Sequence, residues 1–189
     1  MERLSAEEYK ALKAIDMAKA EAFARQIRES KDPLVRYKDS RPITDLKHMI
    51  ETSSKLYADN VAFYIKQDKN TAYIPITYKQ MMKDVNGLGT ALIVGDLKDK
   101  RIGIIGENSY MWATMYLASV CGVGVVVPLD KELSANELKG LVKEAELSCV
   151  AFDKKFENLF KGIKADPEND LEVLIGLEAQ ESDGEVFAW

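Results

Sequence analysis

Arg101-Ile-Gly-Ile-Ile-Gly106, Gly124-Val-Val-Val-Pro128, Ser148-Cys-Val-Ala-Phe152 and Leu171-Glu-Val-Leu-Ile175 are four apolar runs that begin about 23 residues apart. Runs without a polar face suit strands covered on both sides. The first three are each followed by a helix-length amphipathic stretch: 109–121, 135–145 and 154–163. That alternation predicts an α/β fold with a doubly wound, mainly parallel sheet, central strands at 101–106, 124–127, 148–152 and 171–175, and helices on both faces.

Upstream of this unit the pattern changes. Ser5-Ala-Glu-Glu8 is a capping box, and Leu12, Ile15, Ala18, Ala22 and Ile27 form the stripe of a long helix that Lys31-Asp-Pro33 ends. A second helix starts near Thr44, with Leu46, Met49, Ile50, Ser53 and Tyr57 on one face. Val61-Ala-Phe-Tyr-Ile65 and Thr71-Ala-Tyr-Ile-Pro-Ile76 read as a hairpin across Lys66-Gln-Asp-Lys-Asn70, with Pro75 at an edge. Thr77-Tyr-Lys-Gln80 and Ser134-Ala-Asn-Glu137 are further capping boxes, Gly95 is a C-cap candidate, and Asp153 is expected to cap the helix after it. The expected organisation is an N-terminal helical segment over 1–40, an α/β subdomain over 41–177 and an acidic tail or connection without periodicity over 178–189.

Composition narrows the partners. Of the 189 residues 47% are hydrophobic and 30% charged, with a net charge of −5. This is the balance of a soluble globule, and the sign argues against nucleic acid or an anionic membrane surface. No apolar run approaches the roughly 20 residues of a membrane span, and the charged N-terminus is unlike a signal peptide. A cytoplasmic location is expected. Cys121, at a helix end, and Cys149, in a central strand, are expected to be buried thiols.

Chemistry is sparse. His48, the single histidine, lies on a surface helix with no triad or metal partner in the sequence pattern, and the cysteines lack metal-ligand spacing. Neither Gly103-Ile-Ile-Gly106, Gly87-Leu-Gly89 nor Gly122-Val-Gly124 is a dinucleotide fingerprint, and no Walker-type loop occurs. In open α/β sheets ligands sit beyond the carboxyl ends of the strands. Two such ends hold the candidate substrate-binding residues. Asn108 and Ser109 lie in Gly106-Glu-Asn-Ser109, which opens a helix, and Asp130 lies in Pro128-Leu-Asp130. Their structural alternatives are a helix cap and a turn in which Asp130 bonds nearby backbone. No catalytic or metal-binding residue is assigned.

The order of several elements resembles a known family. Ile76-Thr-Tyr-Lys-Gln-Met-Met82 is followed by Lys100-Arg-Ile-Gly-Ile-Ile-Gly-Glu-Asn-Ser-Tyr-Met-Trp112. Then come Tyr116-Leu-Ala-Ser-Val-Cys-Gly-Val-Gly-Val-Val-Val-Pro-Leu-Asp130 and Leu133-Ser-Ala-Asn-Glu-Leu138. Together with Asp45-Leu-Lys-His-Met-Ile50 and Tyr57-Ala-Asp-Asn-Val-Ala-Phe63, this resembles the N-terminal part of AMP-forming acyl-CoA synthetases. That is the adenylate-forming superfamily, which includes luciferase and peptide-synthetase adenylation domains. The resemblance runs from about residue 42 to 177, and the Glu107-to-Trp112 turn leans toward the long-chain fatty acid branch. It implies a parent ligase that activates a carboxylate with ATP and Mg and passes the acyl group to CoA. The family's Ser/Thr/Gly-rich phosphate loop, magnesium-binding Glu, ribose-binding Asp and lid lysine have no counterpart among these residues. The resemblance therefore implies a structural N-terminal portion, inactive alone, whose partner is the remainder of the parent and whose bare apolar surface either drives self-association or is covered by the first helix (Ser5 to Ser30) or the acidic tail. The rival readings are a peptide-synthetase adenylation domain or acyl-AMP ligase, and a free-standing flavodoxin-like binding domain.

Overall fold

The computed structural model describes residues 22, 25, 29, 42–66, 70–179 and 181–188. The expected helix over Ser5–Ser30 and its stop at Lys31-Asp-Pro33 lie outside the described residues. The exceptions are Ala22, Arg25 and Glu29, which are helical; Arg25 Nε donates to Glu29 Oε1 at 2.9 Å.

The second unit, 43–189, opens with α1 (Leu46–Leu56), capped by Asp45, whose carboxylate accepts from His48 N at 2.7 Å. A hairpin follows, β1 (Val61–Ile65) and β2 (Ile74–Thr77), antiparallel with a bulge near Val61 and Phe63. Residues 71–73, expected in the second strand, lie outside it, and Pro75, paired with Tyr64, is exposed on the two-stranded sheet. Next come α2 (Tyr78–Val94), β3 (Arg101–Ile105), α3 (Tyr110–Ala118), a π-helical turn over Ser119–Val123 and β4 (Val125–Pro128). The unit ends with α4 (Ala135–Glu144), β5 (Cys149–Phe152), a 3-10 turn over Lys154–Phe156, α5 (Glu157–Lys164), β6 (Val173–Gly176) and β7 (Val186–Ala188).

The five later strands form one parallel sheet in the order β4-β3-β5-β6-β7. Side chains alternate across it. Ile102, Ile104, Cys149, Ala151 and Ile175 meet α2, α3 and Ile50 of α1 on one face. Ile105, Val150, Phe152 and Leu174 meet α4 and α5 on the other. Each fully buried aliphatic side chain contributes about 1.5–3 kcal/mol, and Ile102, Ile104, Ile105 and Leu174 have no exposed surface. The doubly wound, mainly parallel sheet with helices on both faces and a hairpin before it is the observed architecture.

Several details differ from the sequence expectations. β4 is an edge strand rather than a central one, with Val125 58% exposed; an apolar run does not say which neighbours a strand has. The last expected strand starts at Val173, two residues late. The stretch without periodicity holds β7, which pairs with β6; three residues are too few for alternation to show. The helix expected over 109–121 gives way at Ser119 to the π turn, where Gly122 takes φ 142°, so Cys121 sits half-buried in that turn. On α1 the buried residues are Ile50 and Ser54, while Leu46 and Tyr57 are exposed, because the helix meets α2 and the π turn along a narrow strip. Both cysteines are free, with Cys149 fully buried in β5 and its thiol pushed upward by burial.

The caps follow expectation in part. Ser134 and Glu137 form the complete box. At α2, Thr77 Oγ1 accepts from Gln80 N, but the Gln80 side chain turns to Asp84 at 2.7 Å. Gly95 (φ −77°) is the C-cap of α2, as expected, and the left-handed residue is the next one, Asp96 (φ 63°). Leu97 N bonds Leu92 O and Asp96 N bonds Ile93 O, a Schellman ending.

Candidate functional site at the carboxyl end of the sheet

In this sheet the strand order reverses between β3 and β5, since β3 connects back to β4 while β5 lies on its other side. Doubly wound sheets bind ligands in the crevice beyond the carboxyl ends at such a switch point. Three segments border a groove of about 1140 Å³ here: residues 63–66 at the end of β1, 108–113 at the start of α3, and 177–179 after β6. The volume lies just above the roughly 300–1,000 Å³ of small-molecule sites.

The sequence explains how each wall is held. Ser109 is the N-cap of α3, its Oγ accepting from Trp112 N at 3.1 Å. This sets Asn108, Ser109 and Trp112 along the groove. Tyr110 points inward, packs edge-on against Phe63 at 5.3 Å between ring centres, and donates its hydroxyl to Asp84 of α2 at 2.6 Å. Burial and the Asp84 carboxylate push the Tyr110 hydroxyl well above its usual range, so it stays protonated. Trp112 stacks on Tyr116 at 5.5 Å with planes 10° apart. The groove thus has aromatic walls with a polar strip at Asn108 and Ser109, suited to a partly apolar ligand.

Of the sequence candidates, Asn108 and Ser109 come together on the groove, and Asp130 does not line it. Asp130 Oδ1 accepts from Glu132 N at 2.9 Å, the turn geometry that its position allowed. Asp153, expected to cap its own helix, makes no such bond. Its carboxylate, 7% exposed, accepts from Glu107 N at 2.6 Å, across the switch point. Burial raises Asp153 above the ordinary aspartate value, and the nearby Glu178 carboxylate adds to this against the Glu107 N–H, which lowers it. Glu107 in turn meets Lys131 Nζ and Lys155 Nζ, the latter at 3.0 Å, and these ammonium groups hold it below the usual glutamate range. Glu178 Oε2 accepts from Lys154 N at 3.4 Å. Sequence reasoning missed this rim because each residue looks local; the one signal was that Asp153 directly follows a strand end.

Among the described residues no group of three or more His, Cys, Asp or Glu side chains is arranged to hold a metal ion. No helix of the described residues is long and apolar enough to cross a membrane.

A doubly wound parallel sheet preceded by an antiparallel hairpin defines the class as an α/β fold. The particular family follows from comparison: residues 50–186 match the model of the AMP-binding enzyme family, and the chain belongs to it. It is similar to the human medium-chain acyl-CoA ligase ACSF2, mitochondrial, at 25% identity over 126 residues, covering 64% of this chain and 20% of the relative. It is also similar to a polyketide synthase-nonribosomal peptide synthetase of Aspergillus flavipes, at 27% over 110 residues, covering 58% of this chain and 3% of the relative. The coronafacic acid ligase of Pectobacterium brasiliense shares the fold with a TM-score of 0.63 at 21% identity, over 77% of this chain and 28% of that one. The chain spans about a fifth of the length of its human relative.

Proposed function

We propose that this chain is the N-terminal scaffold of an AMP-forming acyl-CoA ligase, which activates a carboxylate with ATP and transfers the acyl group to CoA. The match of residues 50–186 to the AMP-binding enzyme family carries this reading. The aromatic groove at the carboxyl end of the sheet supports it, because that is the side on which a doubly wound sheet meets its ligand. In this reading the scaffold supplies the wall formed by Asn108, Ser109 and Trp112, and other parts of the ligase supply the phosphate-handling groups and magnesium. Electrostatic positioning of the phosphates would dominate the adenylation step. Medium-chain fatty acids are the first substrates to try, given the human relative's name. The exposed Val125 and Phe187, on the two edge strands, are where the rest of the ligase would cover the sheet.

A second reading, an adenylation domain that works without CoA, is supported by the similarity to the fungal synthetase. One experiment separates the readings. Pyrophosphate release is measured with ATP, Mg and a series of carboxylates, for the 189-residue chain and for the product of its reading frame extended past codon 189. The chain alone should stay at background, and the longer product should release pyrophosphate and form an acyl-CoA. Release by the chain alone would overturn the scaffold reading. Turnover to acyl-adenylate without a CoA product would favour the adenylation domain.

A further inference from the structure

Beside the groove, a side chain bridges the β3–β5 switch point. Asp153, the residue directly after β5, reaches across to the loop after β3 and takes the Glu107 N–H at 2.6 Å. The contact is fitted on its other side as well: a Cβ on Gly106 would lie 2.6 Å from Asp153 Cγ and 2.8 Å from Oδ2, so only glycine lets the carboxylate come this close. The loop so held, 106–109, ends in the Ser109 cap that places Trp112 on the groove.

We propose that Asp153 is a positioning residue, a carboxylate latch across the β3–β5 switch point that sets the placement of the groove wall at 106–112 and loosens when it is protonated. A hydrogen bond to an ionised acceptor is roughly twice as strong as a neutral one, so protonation weakens the hold without removing it. The groups that face the carboxylate decide where it titrates. Glu107 comes from the β3–α3 loop, Lys155 from the 3-10 turn, Glu178 from the turn after β6 and Lys131 from the segment after β4. Burial and the two glutamates favour the protonated form; the Glu107 N–H and Lys155 oppose it. The latch thus releases at a higher pH than an ordinary aspartate would. The inference concerns the wall alone and holds whether or not the ligase reading does, because its test needs no substrate.

The test is the amide proton of residue 107, followed by NMR on the full chain between about pH 3 and 8. In the wild type it should shift with a midpoint above the ordinary aspartate value of 3.8. The shift should vanish in Asp153→Asn and persist in Glu107→Gln. Emission of Trp112, in a Trp189→Phe background, should be unchanged in Asp153→Asn, which keeps an oxygen acceptor, and red-shifted in Asp153→Ala. An amide that titrates equally in Asp153→Asn, or that does not titrate in the wild type, overturns the latch. So does wild-type emission from Asp153→Ala. If Asp153→Ala does not fold, the Asn and Gln variants still decide.

Discussion

At the amino end of the parallel sheet the turns are closed by main chain, whereas at the carboxyl end side chains hold the loops. Val125 N bonds Lys100 O, Ser148 N bonds Arg101 O, and Glu172 N and Val173 N both bond Ser148 O, each at 3.0 Å. The three non-glycine residues with positive φ among the described residues, Asp96, Asp99 and Glu146, all lie in the turns that lead into this end. At the opposite end the last ladder amides are those of Leu129, Asp153 and Leu177, and two loop amides beyond the strands go to carboxylates, Glu107 N to Asp153 and Lys154 N to Glu178. Lys98 Nζ and Arg101 Nη1 add bonds to the Gly122 and Ala145 carbonyls at the amino end, each at 3.1 Å, on top of the main-chain closure. An end held by carboxylates leaves room for a groove and responds to protons.

Gly124→Ala should show the difference most sharply. A Cβ there meets the Lys100 carbonyl oxygen and lies 3.2 Å from the Lys100 carbonyl carbon and nitrogen, so main chain must move. A loss of about 3 kcal/mol is expected in urea unfolding. Gly106→Ala places its Cβ against a side chain instead, and Asp153 can rotate away at the expense of its bond to Glu107. A loss of about 1–2 kcal/mol is expected, from strain and one lost hydrogen bond. Equal losses in the two variants would erase the contrast between the ends.

The pH dependence sharpens it further. Asp153 has a folded-state pKa above its unfolded value of 3.8. Its contribution is therefore fully present below 3.8 and is lost as pH rises through the folded value. Glu107, held below its ordinary 4.5, behaves oppositely: its contribution is present above 4.5 and is lost as pH falls through the lower folded value. Stability of Asp153→Asn relative to wild type should accordingly improve as pH rises from about 4. Urea midpoints measured across that range check this, and a constant difference would contradict it. The smallest expected effect is at the amino end. Asp96→Gly relieves a left-handed residue and should raise stability by about 0.5–1 kcal/mol, seen as a shift of the urea midpoint.

The sequence made the sheet legible because β3 and β5 are buried on both faces and carry unbroken apolar runs, and because the Ser134 and Thr77 caps mark helix starts. It did not show which strand lies at the edge, since β4 is as apolar as β3 but pairs on one side only. β7 is too short to leave a period. At the site, Asn108 and Ser109 were legible as a helix opening at a strand end. Asp153 was not, because a strand-end aspartate looks the same whether it caps its own helix or reaches across to Glu107. Gly106, which decides between them, has a meaning only once the two strands are side by side. The groove walls at 63–66 and 177–179 depend on the hairpin and the turn after β6 coming together, which no local pattern encodes.

Native-state hydrogen exchange on the full chain tests the contrast between the two ends most directly. The amides of Val125, Ser148 and Val173, bonded to main-chain carbonyls at the amino end, should exchange more slowly than those of Glu107 and Lys154, bonded to carboxylates at the carboxyl end. Glu107 and Lys154 exchanging as slowly as the amino-end amides, or more slowly, would contradict it.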